Sequence, residues 1–289
     1  MAASSPAVIS VLGRDQKGVV ARICTYLAQH NVNIERIDQN VMEGLFIMSM
    51  LVDLKDLDLN LDTLVFDLRS IGGEMQMDVT VRLHGERTRK KVALLVSRES
   101  HCLEALLEAQ REGELDADFP IVLSNHPDLE PIAAAAGIPF RWMPSKDKAA
   151  HMEFLSKELA AVRPDLVVLA RYMQVLTPEL TRTWSNRILN IHPSLLPYYP
   201  GANAYRQAWE AGIRICGCTA HIVTEELDKG PIVLQDVFHI RVGEDSLETI
   251  KANGRALEAK VLTKAVQLVV RDELVVLDGK VLFRPGRVA

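Results

Sequence analysis

Two kinds of apolar run alternate with helical stretches along the chain, and the change of kind divides it. Ala7–Leu12 is a short run with β-branched residues and reads as a strand, closed by a turn at Gly13–Gly18. Val19, Val20, Ile23, Leu27 and Ala28 then recur at helical spacing. From Asn31 to Val41 polar and apolar residues alternate, with Val32 and Ile34 facing inward and Ile37 a third candidate. Gly44 marks a hairpin turn before a more apolar strand, Leu45–Val52. Leu61, Leu64, Val65, Leu68 and Ile71 give a second helix, and Met75–Val81 a last strand. The order β-α-β-β-α-β predicts a ferredoxin-like domain over residues 1–84.

Residues 85–91 are polar and charged and read as a linker to a second domain, 92–289. Here the runs are continuously apolar: Val92–Val96, Ile121–Ser124 and Leu166–Ala170. Strands of that kind are covered on both faces of a parallel sheet. Phe140–Met143 is a shorter one. Between them lie helical segments near Leu103–Glu112, Leu129–Ala136 (stopped by Gly137) and Ala149–Val162. The alternation predicts an α/β domain with a mostly parallel sheet and helices on both sides. One or two amphipathic helices follow from a cap at Asp245 or Ser246 to Val270, then a hairpin closes the chain around Asp278-Gly279.

Composition narrows the function classes. Apolar residues make up 48% and charged residues 25%, the balance of a soluble globular protein. A net charge of -5 argues against a nucleic-acid surface and gives no sign of binding to anionic membranes. No run approaches a membrane span. Cys24, Cys102, Cys216 and Cys218 form no zinc or C-x-x-C spacing, so reduced thiols in a cytoplasmic protein are expected. No metal is implied, since no pair of histidines has ligand spacing.

The candidate chemistry sits where the apolar run Arg187–Leu189 breaks into Asn190-Ile191-His192-Pro193-Ser194-Leu195-Leu196-Pro197. Asn190 and His192 are two apart, so they point the same way from a strand end, where α/β enzymes place their chemistry. Asp228 precedes Gly230-Pro231 in a turn and brings a carboxylate within reach of that imidazole. His221 lies on a strand and reads as a supporting residue.

The block Asn190–Pro197, with Gly201, Gly217–His221 and Leu227-Asp228-x-Gly230-Pro231-Ile-x-x-Gln235, resembles the Rossmann-like fold of the folate-dependent formyltransferases. Gly13-Arg-Asp15-x-x-Gly18, a helix, then Asn31-x-Asn-Ile resembles an ACT domain. The first resemblance implies that Asn190, His192 and Asp228 are catalytic and that Met173, Gln174, Val175 and Leu176 line a folate pocket. The second implies an amino-acid effector at a corner made by Gly13, Asp15 and Gly18, and a homo-oligomer, dimer or tetramer. Ser97-Arg-Glu99-x-His101-Cys102-Leu103 is similar to formyltetrahydrofolate deformylases, which also carry an ACT domain. A transformylase would have a glycine-rich phosphate loop there, whereas Glu99 opposes a phosphate dianion. His192-Pro193-Ser194 and Tyr198–Gly201, however, are closer to the transformylases. The expected reaction is hydrolysis of 10-formyltetrahydrofolate to formate and tetrahydrofolate, feeding purine and one-carbon metabolism, with folate as substrate and no bound cofactor. Asn190 and a protonated His192 would donate to the oxyanion. Asp228 would either hold that cation or act on the water. An amine-acceptor formyltransferase and a non-catalytic folate or amino-acid sensor stay open.

Overall fold

The computed structural model describes residues 6–42, 44–83, 89–198, 204–277 and 279–283. The chain divides into two compact units, the second beginning at Arg89. His84, linker residues 85–88, Tyr199 to Gly201 of the loop motif, and Asp278 lie outside the described residues.

In the first unit β1 (Pro6–Arg14), α1 (Val19–Gln29), β2 (Asn33–Met42), β3 (Leu45–Asp53), α2 (Leu61–Glu74) and β4 (Met77–Leu83) follow one another. The sheet is antiparallel, in the order β2-β3-β1-β4. Alternate residues of β3 (Phe46, Met48, Met50, Val52) face the core and meet Val19, Ile23 and Leu27 of α1 and Leu64 and Leu68 of α2. Each such fully buried side chain contributes roughly 1.5–3 kcal/mol. Asn60 caps α2, its side chain accepting from the Thr63 amide at 2.8 Å. One expectation needs correction. Ile37 is 42% exposed although the register places it opposite Met50, on the core side of the sheet. β2 is an edge strand, and its residues from Glu35 to Val41 are all exposed.

The second unit contains β5 (Lys90–Val96), α3 (His101–Arg111), β6 (Ala117–Asp118), β7 (Val122–Ser124), α4 (Glu130–Ala135) and β8 (Phe140–Trp142). There follow α5 (Lys148–Val162), β9 (Leu166–Ala170), α6 (Pro178–Thr183), β10 (Ile188–His192) and α7 (Ala204–Glu210). Last come β11 (Ile215–Ile222), β12 (Ile232–His239), α8 (Leu247–Val270) and the hairpin β13 (Leu274–Leu277) and β14 (Lys280–Phe283). The sheet order is β12-β11-β10-β9-β5-β7-β8, with β6 paired to β5. Its pairings are parallel except those of β11 with β10 and with β12, so β11 runs against the other strands.

The double cover shows in β5 itself. Val92, Leu94 and Val96 pack into a core with α3 and α8, while Ala93 and Leu95 pack into another with α5 and α6. Two boundaries differ from the sequence expectation. β5 starts at Lys90, since Lys90 and Lys91 pair with β6. α3 starts at His101, which a reading based on apolar spacing alone passed over. The long C-terminal segment is one helix, capped by Ser246, whose hydroxyl accepts from the Thr249 amide at 3.1 Å.

Candidate active site

β10 lies between β9 and β11, so its last residues are held from both edges. In the register with β11, Asn190 faces His221 and His192 faces Thr219. The cross-strand pair is bonded: Asn190 Nδ2 donates to His221 Nε2 at 3.1 Å. The other ring nitrogen of His221, Nδ1, donates to the Ile222 carbonyl at 3.0 Å, which fixes its tautomer. Burial lowers the His221 pKa against the pull of that carbonyl and of Asp228, so the ring is held neutral.

Asp228 arrives from the β11–β12 connection. Its backbone is left-handed, φ 55°, a conformation that aspartate tolerates better than most residues. Two residues on, Gly230 packs so closely that a Cβ there would lie 1.7 Å from the Ile222 carbonyl oxygen. The turn is thereby pressed onto the end of β11. Asp228 Oδ2 sits 3.4 Å from His192 Nδ1, and its Oδ1 3.8 Å from His221 Nε2. Asn190, His192 and Asp228 thus line one cleft. His192 Nε2 is buried and has no hydrogen-bond partner among the described residues. Buried polar atoms in that state are rare and call for a ligand or a function.

The loop after His192 is fixed from behind. The Thr219 hydroxyl donates to the Ser194 carbonyl at 2.7 Å and accepts from the Leu196 amide at 3.0 Å. Gln235 Nε2 donates to that hydroxyl at 2.8 Å and to the Leu196 carbonyl at 3.1 Å. Gln235, the last residue of the sequence block, therefore anchors the loop.

The cleft has a volume of about 240 Å³ and is walled by Met173, Gln174, Val175 and Leu176, with Leu227 on the facing loop. Met173 and Val175 are 55% and 53% exposed, as apolar side chains awaiting a flat ligand would be. Their backbone is held by residues that the sequence did not single out. The Met173 amide donates to Ser97 Oγ at 3.0 Å, and that hydroxyl donates to Asn125 Oδ1 at 2.7 Å. Polar residues directly after buried strands were the available signal.

A larger group also escaped sequence reasoning, because its members are distant in the chain. Glu258 of α8 is 1% exposed. Its Oε2 lies 3.1 Å from His101 Nε2 and 3.2 Å from Arg171 Nε, and its Oε1 accepts from the Tyr205 hydroxyl at 2.8 Å. Arg171, with left-handed φ 62°, also reaches Glu99 at 3.4 Å and lines the cleft. Burial pushes the Glu258 carboxyl up, but the bonds from His101 and Tyr205 and the Arg171 charge outweigh it, leaving it below its usual range. His101, Cys102 and Glu258 bring ligand-type atoms within 4.8 Å of one another, yet the cation at this carboxylate is Arg171. In the first unit Gly13 lies near the end of β1, and Asp15 and Gly18 lie in the turn to α1, where the Asp15 amide donates to the Gly44 carbonyl at 2.8 Å.

The neutral histidines set a pH dependence. His221 and the buried His151, which pairs with the Tyr172 hydroxyl, both have pKa values lowered by burial from 6.5. Below that pH the unfolded chain binds more protons than the folded one, so stability is full above it and falls as the medium is acidified. The Tm is expected to drop between about pH 7 and pH 5, and His221→Gln to flatten part of that slope. Thermal melts across this range decide it; an unchanged slope in the variant assigns the effect elsewhere.

Residues 90–266 match the family described as "Formyl transferase", and residues 7–65 match the ACT domain. The formyltetrahydrofolate deformylase of a Synechocystis species is 38% identical over 272 residues, 92% of this chain and 94% of that one. A solved formyltetrahydrofolate deformylase from Pseudomonas syringae superposes with a TM-score of 0.82 at 35% identity, covering 97% of this chain and 95% of that one. Glycinamide ribonucleotide transformylase 1 from Symbiobacterium toebii gives a TM-score of 0.65 at 34% identity, covering 70% of this chain and 96% of that one.

Proposed function

Since the chain belongs to the formyltetrahydrofolate deformylase family, we propose that its cleft hydrolyses 10-formyltetrahydrofolate to formate and tetrahydrofolate through Asn190, His192 and Asp228. The observation that carries the assignment is His192: one ring nitrogen faces a carboxylate at 3.4 Å and the other is buried without a partner. With Nδ1 turned to the carboxylate, an Nε2–H would stand free to donate to the substrate. The Asn190 amide has one N–H on His221 and a second to give. These two donors serve the oxygen of the formyl group as it becomes an oxyanion.

Water attacks the formyl carbon, its proton passing toward Asp228, and the carbon–N10 bond then breaks with protonation of N10. Met173, Gln174, Val175 and Leu176 hold the folate, with the half-exposed Met173 and Val175 side chains meeting the ring. His221 acts through Asn190 and Asp228, as a positioning residue. An amino-acid effector at Gly13, Asp15 and Gly18, and assembly into a homo-oligomer, belong to the same reading by the ACT resemblance. Among the described residues no helix is long and apolar enough to cross a membrane.

The test is formate release from 10-formyltetrahydrofolate without any added amine. His192→Ala is expected to lower kcat by about 10²–10³, the worth of one oxyanion donor, with folate affinity nearly unchanged. A variant with near-native kcat would remove His192 from the chemistry.

A further inference from the structure

The sheet order marks a place where a ligand is expected and side chains stand instead. β5 has β7 on one side and β9, reached only after α5, on the other. Connections part at that point, and in open α/β sheets the crevice outside such strand ends is the usual ligand site. The open cleft lies one strand over, beyond β9 and β10. Outside β5 and β9, Glu99 and His101 come from the turn after β5 and the start of α3, and Arg171 from the turn after β9. His101 and Arg171 converge on Glu258, which Tyr205 closes from α7, and Glu99 pairs with both of them from the outer side.

Folding does not require this filling in place of an apolar one. Removing an ion from water costs several kcal/mol before any pairing, and buried ion pairs are often replaceable by apolar residues without loss. Left-handed backbone at Arg171 costs about 1–2 kcal/mol more. Gly254, inside α8, gives up about 1 kcal/mol relative to alanine. A Cβ there would come within 2.3 Å of the Tyr205 ring. Three separate costs converge on one cluster beside a catalytic cleft.

We propose that this cluster fills the second-substrate crevice of an acyl-transfer fold, the chain's own side chains standing where an amine acceptor would dock, so that water is the nucleophile that reaches the formyl carbon. It rests on the hydrolase reading above. Arg171 belongs to both spaces, lining the cleft while pairing with Glu258, and is the wall between them. With that wall removed, a primary amine attacks the formyl carbon and the carbon–N10 bond breaks. The amine proton goes to N10, giving an N-formyl amine and tetrahydrofolate.

The test uses Arg171→Gly with Glu258→Gln. Glycine adopts φ 62° without strain, and glutamine leaves no unpaired buried charge. Arg171→Gly alone, and Glu99→Gly with His101→Gly, open the same space from other sides, and any folded variant is enough to decide. Each is given 10-formyltetrahydrofolate and glycinamide, and formate and N-formylglycinamide are measured in one reaction. The wild type is expected to give formate, with N-formylglycinamide at the enzyme-free background. The variants are expected to raise the ratio of formyl amine to formate about 10- to 100-fold, the range that pocket contacts command in discrimination. Folded variants that keep the wild-type ratio overturn the proposal. N-formylglycinamide from the wild type, or no formate from it, would instead remove the hydrolase reading and the proposal with it.

Discussion

Asp228→Asn is expected to lower kcat about 1,000-fold while the protein stays folded, within the 10²–10⁴ that a positioned acid–base group is worth. Asparagine has the shape of aspartate and is equally at ease at φ 55°, so the turn has no reason to move. What disappears is the negative charge 3.4 Å from His192 Nδ1. In the proposed mechanism the His192 ring then loses its carboxylate partner, and the attacking water loses its base. An asparagine whose amide faces Nδ1 can even favour the wrong tautomer, as happens when the carboxylate of a Ser-His-Asp triad is neutralised. Single-turnover formate release together with folate binding separates the outcomes. A kcat within about tenfold of wild type would leave Asp228 with a merely structural part.

The second large effect is on the backbone. Gly230→Ala puts a methyl group 1.7 Å from the Ile222 carbonyl oxygen, a backbone atom with little freedom, since the Ile222 amide is itself bonded to Pro231. The turn has to lift off β11. Forced overpacking of this kind costs about 3 kcal/mol, or a Tm lower by about 6–12 °C for a unit of this size. Asp228, two residues earlier, is carried along, and a displacement near 1 Å costs on the order of 10²-fold in rate. Melting and kinetics should therefore fall together. A variant that melts early but turns over normally would detach the turn from catalysis.

Much of this molecule is legible in the chain, for reasons that differ from element to element. The strands of the second unit declare themselves because a parallel sheet buries both faces, which leaves Val92–Val96 of β5 and the whole of β9 as unbroken apolar runs. Asn190, His192 and Asp228 stand in a local block whose spacing survives folding, and the structure gathers them in one cleft. Ile37 is exposed because it stands on an edge strand, and apolar periodicity does not show which strand ends a sheet. The Glu258 cluster was invisible for another reason. Its members come from α3, the turn after β9, α7 and α8, and a lone glutamate in an amphipathic helix has the appearance of a solvated face until the fold buries it. Ser97 and Asn125 were missed for the same cause, since their bond joins two strand ends 28 residues apart.

Arg171 and Asp228 both hold left-handed backbone angles that glycine would hold more cheaply, at Arg171 by about 1–2 kcal/mol. Heat tolerance and turnover therefore compete at the same two positions. A lineage selected only to survive high temperature would drift toward smaller residues there, and would lose its chemistry before it lost its shape.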